Sequence, residues 1–164
     1  MGQFIKPKIF FLSIRSRAAL KEALKAKDQI ALSTMRLIVA ALKDRDIAAR
    51  SNDNPDGITD NEILSMLQTM IKQRSESAKM YRDGNRPELA AGEEAEIEII
   101  KNFLPKQLTQ DEMKHAISTA IIETGAGSIK DMGQVMGYLK ERFAGQMDFS
   151  SASQEVKAAL MIKN

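Results

Sequence analysis

Three tetrapeptides of one kind constrain this chain most: Thr59-Asp-Asn-Glu62, Thr109-Gln-Asp-Glu112 and Ser128-Ile-Lys-Asp131. Each places a hydroxyl residue three positions before a carboxylate, so each can satisfy the free N–H groups that open a helix. Behind each comes an apolar stripe at helical spacing. The first holds Ile63, Leu67, Met70, Ile71, Ala78 and Tyr81. The second holds Met113, Ile117, Ala120 and Ile121, and the third Met132, Val135, Met136, Leu139 and Phe143. Steps of three and four put such residues on one face of a helix, which must be buried. Sustained period-two alternation is absent, so an all-α fold is expected.

The remaining helices follow from punctuation. A short helix is expected over 17–26, stopped at Lys27-Asp28. Asp28 then caps a longer helix that buries Leu32, Met35, Ile38, Val39 and Leu42 and runs out near Ser51. Ser51-Asn-Asp-Asn-Pro-Asp-Gly57 is a loop by composition. Asp83-Gly84 ends the third helix, and Pro87 suits the first turn of a fourth that buries Leu89, Ile97, Ile100 and Phe103. Leu104-Pro105 breaks that helix. Gly125 and Gly145 close the next two, and a last helix from about Ser150 carries Val156, Ala159 and Leu160. The expected organisation is a four-helix neck over 17–106 and a three-helix tail over 107–164. Residues 1–16 are read as a basic, apolar extension.

Composition narrows the chemistry. The 164 residues contain no Cys and one His, His115. Thiolate nucleophiles, disulfides and multi-histidine metal sites are thereby excluded, and a cytoplasmic protein is expected. The formal charge of +2 is too small to imply a polyanion partner by itself. The charge is uneven, at +5 over 1–58, −2 over 59–108 and −1 over 109–164. The apolar run Ile9 to Ile14 is too short to span a bilayer, and no membrane association is expected.

No Walker loop, dinucleotide fingerprint or nucleophile elbow is present, and no catalytic residue, metal or cofactor is assigned. His115 is read as a partly exposed structural residue, and Gly125-Ala-Gly127 as a turn between helices. Glu93, Glu94, Glu96 and Glu98 are read as a solvated face near Arg86 and Lys101. Arg36, Lys43 and Arg50, seven apart, place cations at about 10 Å intervals along one helix edge, a spacing that can track a phosphate backbone. Asp44 and Asp46 among them fit a salt-bridged face equally. In the tail, Lys130, Lys140 and Arg142 flank the helix opened by Ser128, whose free N–H groups favour anions. Gly133 and Gly137 lie on one side of it, at a cost of up to about 1 kcal/mol each in a helix interior. They mark a close backbone approach, from a packed helix or from a ligand.

Several of these blocks resemble YqeY proteins. They are Ala26-Lys-Asp28 with Leu32 to Lys43, Lys72 to Ser77 running on to Tyr81, Gly84 and Arg86, Glu98 to Leu108, and Gly125 to Gly137. The resemblance runs from about residue 17 to the end. It implies the fold of the C-terminal region of GatB, the tRNA-engaging subunit of glutamine-dependent tRNA amidotransferases. By that resemblance the tail meets tRNA through Lys130, Gly133, Gln134, Gly137, Lys140 and Arg142, recognised by shape rather than by base; Arg36, Lys43 and Arg50 are further candidate phosphate contacts from their spacing alone. It implies association with carbon–nitrogen ligase activity that uses glutamine, without a catalytic site in this chain. Transfer RNA or another structured RNA is the expected partner, beside an amidotransferase or an aminoacyl-tRNA synthetase, and DNA is not. The alternative reading is a protein–protein adaptor whose Met66, Met70, Met80, Met132 and Met136 form adaptable grooves.

Overall fold

A computed structural model describes the backbone of residues 9–162 and the side chains of residues 17–162. Seven α-helices lie among the described residues: α1 (Ile9–Ala26), α2 (Gln29–Ser51), α3 (Asp60–Asp83), α4 (Pro87–Lys101), α5 (Gln110–Thr124), α6 (Met132–Arg142) and α7 (Phe149–Ile162). No strand occurs among those residues. The fold is all-helical, as the stripes and caps require.

The helix starts are built as the sequence dictates. The Asp28 carboxylate accepts the Ala31 N–H at 3.0 Å. Thr59 Oγ1 accepts from the Glu62 N–H at 3.2 Å, and the Glu62 carboxylate accepts from the Thr59 N–H at 2.7 Å. Thr109 and Glu112 repeat this at 3.2 and 2.8 Å. Backbone N–H donors hold both glutamates below their ordinary pKa, because each hydrogen bond favours the charged form. Gly125 closes α5 in the left-handed region, at φ 65°. Gly57 has φ 77°, and a Cβ there would lie 2.0 Å from Asp46 Oδ1, so only glycine fits.

The starts of the first and sixth helices differ from expectation. The first helix begins at Ile9 rather than near residue 17. Between Lys8 and Ala26 there is neither glycine nor proline, so nothing in the chain stops a helix there. The side chains of residues 9–16 lie outside the described set. Ser128 and Asp131 do not open α6 directly. They frame a 3₁₀ turn, Ile129–Asp131, and α6 follows it. Asp is one methylene shorter than Glu, so its carboxylate reaches back to the chain only across a tighter turn.

The chain divides between Phe103 and Leu104 into two compact units. In the first, α4 packs on α3 and α2, and α1 packs on α2. Its core includes Met35, Ile38, Ile63, Met66, Leu67 and Ile100, each at most 2% exposed. Thr34 is also fully buried and donates to the Ile30 carbonyl at 2.8 Å, which satisfies its hydroxyl. Leu89, expected inside, is 39% exposed. The acidic run of α4 is a bridging face: Glu96 accepts from Arg74 Nε at 2.7 Å, Glu94 pairs with Arg82, and Glu98 with Lys101. Arg86 pairs instead with Glu88.

In the second unit α5, α6 and α7 pack on one another. Ala120, Val135, Leu139, Ala152, Val156 and Leu160 are fully buried there. The Leu108 N–H donates to the Gln146 carbonyl at 2.8 Å and fastens the segment before α5 to the turn before α7.

Candidate nucleic-acid interface on the tail helices

Helix α6 sorts its residues cleanly. Val135 and Leu139 face the core, and Met132 and Met136 are half-buried against it. Gly133, Gln134, Gly137, Lys140 and Arg142 are exposed, as is Lys130 in the turn before the helix. Lys130, Gly133, Gly137 and Lys140 therefore share one open side of the unit. Among the described residues, a Cβ built on Gly133 or Gly137 meets nothing within 4 Å. The close approach read from these glycines is therefore not a packed neighbouring helix.

Lys130 and Lys140 make no hydrogen bond or ion pair among the described residues. Arg142 is engaged more fully. Its guanidinium lies 3.7 Å from the centre of the Tyr138 ring, and Nη1 is 3.8 Å from the neighbouring Glu141 carboxylate. The ring contact orients the guanidinium and leaves it exposed.

The helix start is less open than the sequence implies. The Asp131 carboxylate accepts from the Gly127 N–H at 2.9 Å and the Ser128 N–H at 3.0 Å. These donors hold the Asp131 pKa below its ordinary value. The Asp131 and Met132 N–H groups are taken by the Ser128 and Ile129 carbonyls. The N–H groups of Ile129 and Lys130 are the donors of this turn without a partner among the described residues. The turn thus presents two N–H donors and a lysine, with a carboxylate behind them.

Beside Tyr138 an open groove of about 570 Å³ runs between α5 and α6. Leu108, Ala116 and Phe143 make its apolar surface, and Asp111, His115 and Thr119 line its α5 side. The spacing of those three by four residues gives their common face in hindsight. Tyr138 carries no charge or motif that would mark it in the sequence. His115 is exposed.

The cationic row of α2 belongs to the first unit. Arg36 and Lys43 are exposed and without a partner among the described residues. Arg50 has a local task. Its Nε donates to Asp46 at 2.9 Å and its Nη1 to the Pro55 carbonyl at 2.7 Å. Asp46 also accepts the Ile58 N–H at 3.1 Å, so the pair clasps the loop over 52–57 onto α2. The Arg50 hydrogen bond, then the Ile58 N–H, lowers the Asp46 pKa. Met66 and Met70 are core residues.

Residues 14–160 match the sequence profile described as Yqey-like protein. The chain belongs to the YqeY family. Curated relatives of this YqeY chain include "Altered inheritance of mitochondria protein 41, mitochondrial" of Pyrenophora tritici-repentis, 30% identical over 152 residues, covering 88% of this chain and 80% of the relative. The protein of the same name from Lachancea thermotolerans is 34% identical over 85 residues, 52% of this chain and 43% of the relative. That of Saccharomyces cerevisiae strain YJM789 is 27% identical over 94 residues, 57% and 49%. The alignment thus spans under half the length of these two yeast relatives.

These names overturn the cytoplasmic location expected from composition, because each of these relatives is called mitochondrial. The absence of cysteine reports on thiol chemistry and does not separate one compartment from another.

Proposed function

We propose that this YqeY chain is a mitochondrial, tRNA-facing binding module. It works beside a glutamine-dependent amidotransferase or an aminoacyl-tRNA synthetase and performs no chemistry of its own. The observation that carries the reading is the open side of α6. Two glycines there have no packing reason within the unit, and the uncommitted lysines Lys130 and Lys140 flank them. Missing side chains let a ribose–phosphate backbone come close, and the lysines neutralise it. Gln134, Arg142 and the Ile129 and Lys130 N–H groups add donors. Recognition is then by shape, with phosphates and sugars contacted and bases ignored.

The relatives' names support the mitochondrial placement. The Met-rich adaptor gains nothing from Met66 and Met70, which fill the core. The proposed RNA surface is that of α6 alone: Arg50 clasps a loop, and Arg36 and Lys43 stand on α2 in the first unit.

The test is binding of folded tRNA to the whole protein across a salt series. Lys130→Ala with Lys140→Ala is expected to weaken binding and to flatten the log–log salt slope by about 2, one for each lysine–phosphate pair removed. Unchanged affinity and slope would remove α6 from the interface.

A further inference from the structure

The outward face of α2 carries apolar residues that stay largely exposed among the described residues. Ile30, Leu37 and Ile47 are 46%, 49% and 54% exposed. With the small exposed Ser33, whose hydroxyl is bonded back to the Ile30 carbonyl, and Ala40 between them, they lie on one stripe, about 25 Å long at the helical rise. Arg36 and Lys43, both exposed and uncommitted among the described residues, border the stripe on one side. Asp44, also exposed, stands in its middle. Opposite Arg36 and Lys43, the border is formed by Ala41 and Ala48. Arg45, beyond them, lines a shallow pocket together with Glu62.

We propose that this face of α2 docks an amphipathic helix of another protein, one with an acidic edge that meets Arg36 and Lys43 and a cationic or donor residue opposite Asp44. Three other occupants fit less well. A second copy laid antiparallel brings Arg36 beside Lys43 of the other copy, and one laid parallel sets two Asp44 carboxylates face to face. Like charges across a helix seam oppose pairing. An anionic bilayer would take the stripe and the cations but must also accept the Asp44 carboxylate at the centre of the inserted face. An RNA backbone would use the two cations and leave the aliphatic stripe wet. Only an acid-edged helix covers the stripe, pairs both cations and answers Asp44. This surface lies on α2, in the first unit, and does not depend on the RNA reading of α6.

The test uses the whole protein and two synthetic three-heptad amphipathic helices with the same leucine–alanine stripe, one edged with Glu and one with Lys. The Glu-edged peptide is expected to bind about tenfold more tightly or better, and Arg36→Glu with Lys43→Glu to reverse the preference. Leu37→Asn should weaken both complexes. All these positions are exposed, and unchanged far-UV circular dichroism verifies the fold. Equal binding of the two peptides, or binding of neither, would overturn the proposal. So would phosphatidylglycerol vesicles or tRNA binding in their place and being lost in the same variants, or a sedimenting dimer abolished by Leu37→Asn.

Discussion

Gly137→Ala separates a glycine kept for a ligand from one without a task. The residue sits in the middle of α6, its φ is not positive, and a Cβ there touches none of the described residues within 4 Å. Alanine can adopt this conformation without strain and restricts the unfolded chain. The substitution should therefore stabilise the protein by about 0.5–1 kcal/mol. At a urea slope near 2 kcal/mol/M, the unfolding midpoint rises by roughly 0.3–0.5 M. Gly133 is the second residue of α6, where the helical cost of glycine is smaller, so Gly133→Ala should gain only a few tenths of a kcal/mol by the same reasoning. Gly92 is the control. It lies within α4, equally open among the described residues, in a helix that carries five glutamates. All three alanine variants should raise the midpoint. Only those on α6 should weaken tRNA binding, for Gly137→Ala by roughly five- to tenfold, equivalent to about 1–1.4 kcal/mol. Urea titration followed by circular dichroism, with tRNA anisotropy on the same samples, reads both effects. Higher stability with undiminished affinity at Gly137 would refute the reasoning that a ligand backbone seats there. Lower stability would refute the openness of the face.

Leu139 is fully buried in the second unit, so Leu139→Ala should cost about 2–5 kcal/mol by chemical denaturation. Thr59→Ala and Thr109→Ala each remove an N-cap hydroxyl and should each cost about 1 kcal/mol in the same assay, leaving the fold intact. Asp46, Glu62, Glu112 and Asp131 all have lowered pKa values in the folded chain. Their stabilising effect is therefore complete above the ordinary carboxylate range, about 4, and is lost as pH falls through the lower folded values. A thermal midpoint that starts to fall only below that range in wild type, and falls less in Asp131→Asn, is the expected profile.

Much of the fold was legible because helix starts are local. Asp28, Thr59 and Thr109 each bond within three residues of themselves, and the stripes behind them need only periodicity. Less legible was what depends on partners distant in sequence. Arg50 reads as one more cation in a row until Asp46 and the Pro55 carbonyl are brought to it. Leu89 reads as core, yet α4 turns it toward solvent while Glu96 is drawn to Arg74. The α6 site was half legible. Spacing places Gly133 and Gly137 on one side, but whether a helix covers that side is a question of packing. Asp131 shows the opposite case, a cap recognised in the sequence whose carboxylate takes donors that an anion would use. Tyr138 gave no signal, since a tyrosine in an amphipathic helix reads as ordinary core.

Hydrogen–deuterium exchange of the whole protein, with and without folded tRNA, addresses the central claim most directly. The account predicts added protection over 129–142, in the turn and helix that carry Lys130, Gly133, Gly137 and Lys140. Protection confined to α2, or no change anywhere at saturating tRNA, would contradict it.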